Sequence, residues 1–417
     1  MSNGAGLPEK GRAWEEVEAS LRDFQSMDLD EQHERLMTGI HLGDERVHEV
    51  CRKAYNMYFH HNAMLADYHP GQRQMQNDVL EMAIRLLNGG DEARANITSG
   101  GSESIFCAMH AAREWARECK PEVQGPYEVV MPRTAHAAFE KAAHYLGMKL
   151  VRVPVGEDLR ADVGALEAAV SPNTIVLVGS SPCWGLGLLD PIPEIAELAR
   201  RHQLWMHSDC CVGGFLLPWL ERLGFDLPLY DFRAPGVCSI SADIHKHGYG
   251  AKPCSTVLYR SEELQRFHWV GVAVSDWQSG LYKTHGLVGS RPGGAVAAAW
   301  AVMNFLGQDG YLDLTRRALV VKDRLVAGIE QVEDFRCLPN ECLLVPFRSE
   351  TLDMTKVFGG LVEKGYFPWG TFDPMFVHPS AEPVEDLVVE SFLADLREIG
   401  QGVKDGTLTA EALAKYI

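Results

Sequence analysis

Lys246 closes the run Val237-Cys238-Ser239-Ile240-Ser241-Ala242-Asp243-Ile244-His245-Lys246, and these neighbours make it a candidate nucleophile. A lysine normally sits on a solvated face. This one follows an apolar stretch that reads as a buried strand. A lysine at the end of such a strand is open to a depressed pKa, and a neutral amine forms a Schiff base with a carbonyl. His245 precedes it, and a Gly248-Tyr249-Gly250 turn follows. The chemistry that most often needs such a lysine is that of pyridoxal 5'-phosphate, which is held covalently through its aldehyde. The His-Lys pair alone fits a surface lysine equally well, so the reading rests on three further motifs.

The first is Thr98-Ser99-Gly100-Gly101-Ser102-Glu103-Ser104, directly before an amphipathic pattern. Small residues let the backbone approach an anion, and a helix N-terminus offers unpaired N–H groups and the positive end of its dipole. Gly101 and Ser102 thus read as a cradle for the cofactor phosphate. An ordinary helix start with Ser102 as N-cap fits the same residues. The second is Asp209, at the end of Leu204-Trp205-Met206-His207-Ser208. A carboxylate there can keep a pyridine nitrogen protonated and the ring an electron sink. The competing reading is a turn aspartate. The third is His136, in Thr134-Ala135-His136-Ala137, placed to stack on the ring. By itself it reads as a capping or core histidine. His245 is within reach of the phosphate. His207 points to the same strand end as Asp209, but alternation makes it a neighbour rather than a ligand.

The elements that must position these residues alternate in type. Helical patterns cover Trp14–Phe24, Gly101–Cys119, His136–Leu146, Ala161–Val170 and Pro193–His202. Strands are expected at Tyr127–Met131, Lys149–Val155, Thr174–Gly179, Leu204–Ser208, Val237–Ser241 and Thr256–Tyr259. Such alternation predicts an α/β fold with a mainly parallel sheet covered by helices. Ligands then bind beyond the carboxyl ends of the strands, where Asp209 and Lys246 fall. A long helical stretch follows Gly294. The segments Cys342–Phe347, Thr355–Glu363, Met375–Val377 and Glu385–Glu398 then suggest a smaller α+β domain. The expected division is an N-terminal arm at 1–60, a large cofactor-binding domain at 61–305 and a small C-terminal domain at 306–417.

With 417 residues, 46% of them hydrophobic, the chain can bury a large core. A formal charge of −18 argues against nucleic acid or an anionic membrane surface as the main partner. The 10 cysteines are scattered, with no C-x-x-C pair. They read as reduced thiols, hence a cytoplasmic protein. Neither a signal peptide nor an apolar span of about 18 residues is visible, so no stable membrane anchor is expected. No metal centre is expected either.

Taken together, the motifs resemble the sphingosine-1-phosphate lyase family, among the fold-type I pyridoxal phosphate enzymes related to group II decarboxylases. The likeness is carried by Asn88-Gly89-Gly90, Thr98–Ser104, Thr134–Ala143, Asp190-Pro191, Asp209–Phe215, Asp231-Phe232-Arg233, Ser239–Tyr249, Asp276-Trp277-Gln278 and Gly289-Ser290-Arg291-Pro292-Gly293-Gly294. Leu7-Pro8-Glu9-Lys10-Gly11 adds to it. The joint spacing is far more specific than any single motif. The resemblance implies that Lys246 holds the cofactor, Asp209 pairs with the pyridinium and His136 stacks on the ring. It implies that Gly101, Ser102 and His245 bind the phosphate. It also implies a homodimer with shared active sites, in which Ser290 reaches the partner's cofactor. Tyr249 and Lys252 match positions near the reacting bonds and the substrate head group.

The chain departs from that pattern where a substrate phosphate would be gripped. Leu65 stands where the family has a histidine, and His41 where it has a tyrosine. Leu186 replaces a histidine, and His247 a tyrosine. Lys252 remains, and His41, His69 or His247 are candidates to restore anion binding. The expected reaction is cleavage of the Cα–Cβ bond of a β-hydroxy amine, most simply a phosphorylated long-chain base. Lys246, Tyr249 and Lys252 are the candidate proton carriers. Decarboxylation of an amino acid is the alternative, since it uses the same apparatus. A cofactor-binding protein that has lost catalysis is a third reading.

Overall fold

The computed structural model describes residues 6–28, 35–36, 38–41, 43–65, 68–272, 282–284, 286–372 and 375–408. The motif Asp276-Trp277-Gln278 lies outside them. Helix α1 (Trp14–Gln25) buries none of its residues. Helices α2 (Glu45–Met57) and α3 (Pro70–Leu86) follow and pack on the long helix of residues Gly293–Glu330.

The central sheet has seven strands: β1 (Arg94–Thr98), β2 (Glu128–Pro132), β3 (Lys149–Val153), β4 (Thr174–Ser180), β5 (Trp205–Asp209), β6 (Ser239–Ala242) and β7 (Ser255–Tyr259). Their spatial order is β1-β7-β6-β5-β4-β2-β3. The run from β3 to β6 is parallel, while β7 is antiparallel to both its neighbours. Apolar runs make these strands, and alternation divides each between two cores. Val130, Leu177, Met206, Ile240 and Leu258 face one side. Val129, Met131, Val178, Trp205 and Val257 face the other. Helices α4 (Gly101–Cys119), α5 (Ala138–Leu146), α6 (Val163–Ala169), α7 (Ile192–Arg201), α8 (Leu217–Arg222) and α9 (Glu262–Gln265) connect the strands. A short antiparallel pair, β8 (Val270–Val272) and β9 (Tyr282–Thr284), follows.

Each expected strand of the sheet lies within two residues of its observed bounds. Strand β1 was not expected, because Arg94-Ala95-Asn96-Ile97 has too little apolar alternation. After Asp209 the chain crosses close against the residue that follows β4. A Cβ on Gly213 would lie 2.1 Å from the Ser181 carbonyl oxygen, so only glycine fits that crossing.

Helix α10 (Gly293–Glu330) leads out of the large sheet and is broken at Gly307, whose φ is 55°. Beyond it lie β10 (Arg336–Cys337), β11 (Phe347–Arg348), α11 (Met354–Glu363), β12 (Trp369–Phe372), β13 (Met375–His378) and α12 (Asp386–Lys404). The four strands form an antiparallel sheet ordered β10-β11-β13-β12. The expected element at Cys342–Phe347 shrinks to Phe347–Arg348 and one bridge between Leu344 and Ser380. Apolar side chains there are buried without continuous strand pairing.

Candidate active site

The carboxyl ends of β4, β5 and β6 open into one cavity of about 430 Å³. It gathers Gly101, Ser102, His136, Asp209, His245, Lys246 and Lys252 from five separate stretches of chain. At one end, α4 begins at Gly101 and Gly100 is its N-cap, with no side-chain cap. Ser102 is therefore inside the helix, and the N-cap reading of it is corrected. Glu103 and Ser104 donate their N–H groups to the Gly100 carbonyl. That leaves the amides of Gly101 and Ser102 for an anion. A Cβ on Gly101 would lie 2.7 Å from Cys211 Sγ and 2.9 Å from Asp243 Oδ2. Only glycine lets the helix end approach the strand ends this closely.

His245 flanks the same turn. Its Nδ1–H donates to the Cys254 carbonyl at 2.7 Å, which fixes the ring and leaves Nε2 toward the site. At the other end Asp209 is buried. Its Oδ1 accepts from Cys211 N at 3.1 Å and Ser241 Oγ at 2.9 Å, leaving Oδ2 for a ring nitrogen. His207 stays behind, between Ser239 and Ser241, as expected of a neighbour. His136 both caps and lines: its Nδ1 accepts from the Ala138 N–H at 3.1 Å while the ring forms a cavity wall. Burial holds its pKa below the ordinary histidine value.

Between the two ends stands Lys246. Its Nζ lies 2.9 Å from Asp243 Oδ2 and 5.6 Å from the Trp184 ring centre. The expected depressed pKa is reversed. Burial is the largest single influence and would lower it, but Asp243 first, then Cys211 and Asp209, together hold it above the usual lysine range. Asp243 itself is lowered despite complete burial, because Lys246 and His245 face it. Its other oxygen accepts from Ser255 Oγ. Asp243 and Trp184 were not singled out in the sequence. Asp243 was legible, three residues before the lysine in the same motif. Trp184 lies far away in sequence and carries no local signal.

This arrangement yields a testable shift. Asp243→Asn should lower the Lys246 pKa, so the reactive neutral amine appears at lower pH. Cofactor capture by stripped protein, followed by absorbance, should then show a pH profile displaced to lower pH. An unchanged profile would remove Asp243 as the controlling charge.

Two more cavities adjoin this one. The first, of about 260 Å³, shares His245 and Lys252 with it and adds His41, Tyr249, Cys51 and Tyr55. Tyr249 is therefore beside the main cavity rather than in its lining. It is buried against Tyr311, and burial raises its pKa far above the ordinary tyrosine value. His41 is fully buried and its Nδ1 is 2.7 Å from Glu382 Oε1. Burial, then Lys246 and Lys252, push its pKa down to about 3. The second adjoining cavity, about 420 Å³, shares His136 and Trp184 and is lined by Val155, Leu159, Leu186, Trp369 and Phe376 among others. His69 and Ser290 line none of these cavities. His69 packs on His61, and Ser290 accepts from Asn62 Nδ2 at 3.0 Å, so both lie in one neighbourhood. Leu65 is exposed at the end of a short turn.

The residues fit pyridoxal phosphate. Anion-binding amides and His245 stand at one end, a carboxylate with a spare oxygen at the other, and the lysine between them. The comparisons agree. Residues 16–350 match the family described as the pyridoxal-dependent decarboxylase conserved domain. Sphingosine-1-phosphate lyase 1 of Rattus norvegicus is 36% identical over 397 residues, covering 94% of this chain and 69% of that protein. A probable L-aspartate decarboxylase of Pyrococcus abyssi is 32% identical, covering 94% of this chain and 99% of that one. The structure of the Burkholderia pseudomallei sphingosine-1-phosphate lyase superposes with a TM-score of 0.90 at 31% identity, over 97% of this chain and 95% of that one. The Lactobacillus brevis glutamate decarboxylase, at 18% identity and a TM-score of 0.80, shares the fold. The chain is a pyridoxal phosphate-dependent lyase that belongs to the pyridoxal-dependent decarboxylase family, on its sphingosine-1-phosphate lyase branch.

Proposed function

We propose that this enzyme cleaves the Cα–Cβ bond of a phosphorylated long-chain base, releasing a fatty aldehyde and phosphoethanolamine. The observation that carries this reading is the apolar cavity of Leu159, Leu186, Trp369 and Phe376, which shares His136 and Trp184 with the cofactor site. An alkyl chain fits that lining, and a small amino acid has no use for it. Lys252, on the cofactor cavity's boundary with the cavity of Tyr249, suits a phosphate as a point charge. The Pyrococcus abyssi relative keeps decarboxylation as the second reading.

When bound, pyridoxal phosphate takes the substrate amine through its aldehyde and draws electrons from a bond at Cα into its ring. The protein does the rest. Gly101, Ser102 and His245 would hold the phosphate. Asp209 Oδ2 would keep the ring nitrogen protonated, and His136 would stack on the ring. Trp184 and the strand ends would exclude water. Lys246 Nζ would hold the cofactor and move a proton to or from the reacting carbons, with Lys252 and Tyr249 as further proton carriers.

A substrate series tests the reading. Each buried methylene is worth about 0.8 kcal/mol, so kcat/KM should rise about fourfold per added CH₂ until the cavity is full. Leu186→Glu should flatten that rise. Lys252→Ala should cost roughly 10- to 150-fold for phosphorylated compounds, the value of one charge-assisted contact, and little for dephosphorylated ones. A wild type indifferent to both chain length and phosphate would overturn the assignment.

The same reading includes a homodimer with shared sites. Helix α1 exposes Trp14, Leu21 and Phe24 and buries none of its residues. Ser290 and His69 also lie off their own chain's cavities, a placement that suits service to a partner's site. Mixing Lys246→Ala with Ser290→Asp should restore activity in hybrid dimers. A monomeric, active protein in sedimentation would contradict this. Of the division at 1–60, 61–305 and 306–417, the boundary at 305/306 is supported by the break at Gly307. The free thiols of all ten cysteines support a cytoplasmic location.

A further inference from the structure

We infer that His41, His247 and Glu382 form a binding site for a divalent transition metal of the zinc class, beside the active site. Three elements from distant parts of the chain meet there: the segment before α2, the residue after Lys246, and the loop between β13 and α12. All three side chains are buried. One candidate ligand atom from each lies within 4.8 Å of the others. The imidazoles of His41 and His247 are 4.4 Å apart, centre to centre, at 57°. Imidazole and carboxylate are the donors that borderline divalent ions take, and two histidines with one glutamate leave a further position for water or a substrate oxygen.

The hydrogen bonding in the cluster is incomplete without an ion. His41 Nδ1 and Glu382 Oε1 pair at 2.7 Å. Yet His41 Nε2 and His247 Nδ1 are buried with no hydrogen-bond partner among the described residues. A buried imidazole nitrogen left so costs about 1–3 kcal/mol, and an ion held by His41 Nδ1, His247 Nδ1 and Glu382 would offset that cost at His247. Bonds of about 2.0–2.1 Å place tetrahedral ligand atoms about 3.4 Å apart. The short His41–Glu382 contact has to open slightly and the wider contacts to close, all by side-chain movement. Lys246 opposes a cation at both histidines and Lys252 at His41, while Asp243 favours one at His41 and Glu382 at His247.

Two positions where the family resemblance expects tyrosine both carry histidine in this chain, and their rings touch. An anion clamp does not explain the third member, since the Glu382 carboxylate repels a phosphate. A cation explains all three. The inference does not depend on which bond the enzyme breaks, because its readout is metal content and not turnover.

The cofactor-loaded protein, dialysed against Zn²⁺ or Co²⁺ with a weak competing chelator, should retain one ion per chain by mass spectrometry. The Co²⁺ form should show ligand-field bands of a nitrogen and oxygen site, without a thiolate charge-transfer band. His41→Asn and Glu382→Gln should each weaken binding by ten- to hundredfold or more, with bound-cofactor absorbance reporting an intact fold. Retention unchanged in both variants, a thiolate band, or no ion above the level held by a His41→Tyr/His247→Tyr double variant would overturn the inference. Should the variants misfold, wild-type crystals soaked in Zn²⁺ decide it by anomalous scattering. A peak among the three side chains supports the site, and its absence overturns it.

Discussion

Lys246→Ala is expected to lower turnover by at least about 10⁴-fold. That is the upper end of what one acid–base group contributes, and on the proposed reading this amine also anchors the cofactor. The geometry supports both roles. Nζ stands in the cavity between the Gly101 helix end and Asp209, paired with Asp243 and beneath Trp184. The wild-type protein should absorb as a bound pyridoxal phosphate, and borohydride should bleach that band while fixing cofactor mass to Lys246. The alanine variant should lose the covalent link yet still retain cofactor through its phosphate, because the Gly101 and Ser102 amides and His245 are untouched. A variant with wild-type activity would remove Lys246 from the mechanism.

Asp209→Asn should reduce kcat by roughly 10²–10³-fold, the usual effect of deleting one preorganised electrostatic contact at a developing charge. The amide keeps the shape and can still accept from Ser241 Oγ and Cys211 N, so the fold should stay intact. It cannot hold a proton on the ring nitrogen as a carboxylate does. A cofactor analogue methylated at that nitrogen carries a permanent positive charge. It should therefore restore part of the activity in Asp209→Asn and none in Lys246→Ala. Equal activity of Asp209→Asn with ordinary cofactor would mean that the carboxylate serves only to order the loop after β5.

These residues were legible because each sits in a short motif whose local structure sequence can specify. The helix start at Gly101, the strand end at Asp209 and the strand end before Lys246 are local features. The topology then brings them together without further information. What was hidden depends on contacts between distant segments. Trp184 reaches Lys246 from a loop after β4. Glu382 reaches His41 from the far end of the chain. The direction of the Lys246 pKa was misjudged for a related reason. Burial was legible in the apolar strand, but the balance between burial and nearby negative groups is a matter of distance, and Asp243, the strongest of them, is 2.9 Å away. In the C-terminal domain the strands are only two to four residues long, too short for alternation to register.

The central claim, cleavage of Cα–Cβ rather than loss of carbon dioxide, is tested most directly by identifying products. Cofactor-loaded protein is incubated with a phosphorylated long-chain base and, in parallel, with aspartate and glutamate, and the products are read by mass spectrometry and carbon dioxide release. The account predicts a fatty aldehyde and phosphoethanolamine from the first and no carbon dioxide from the others. Carbon dioxide from an amino acid, with no aldehyde from the long-chain base, would contradict it.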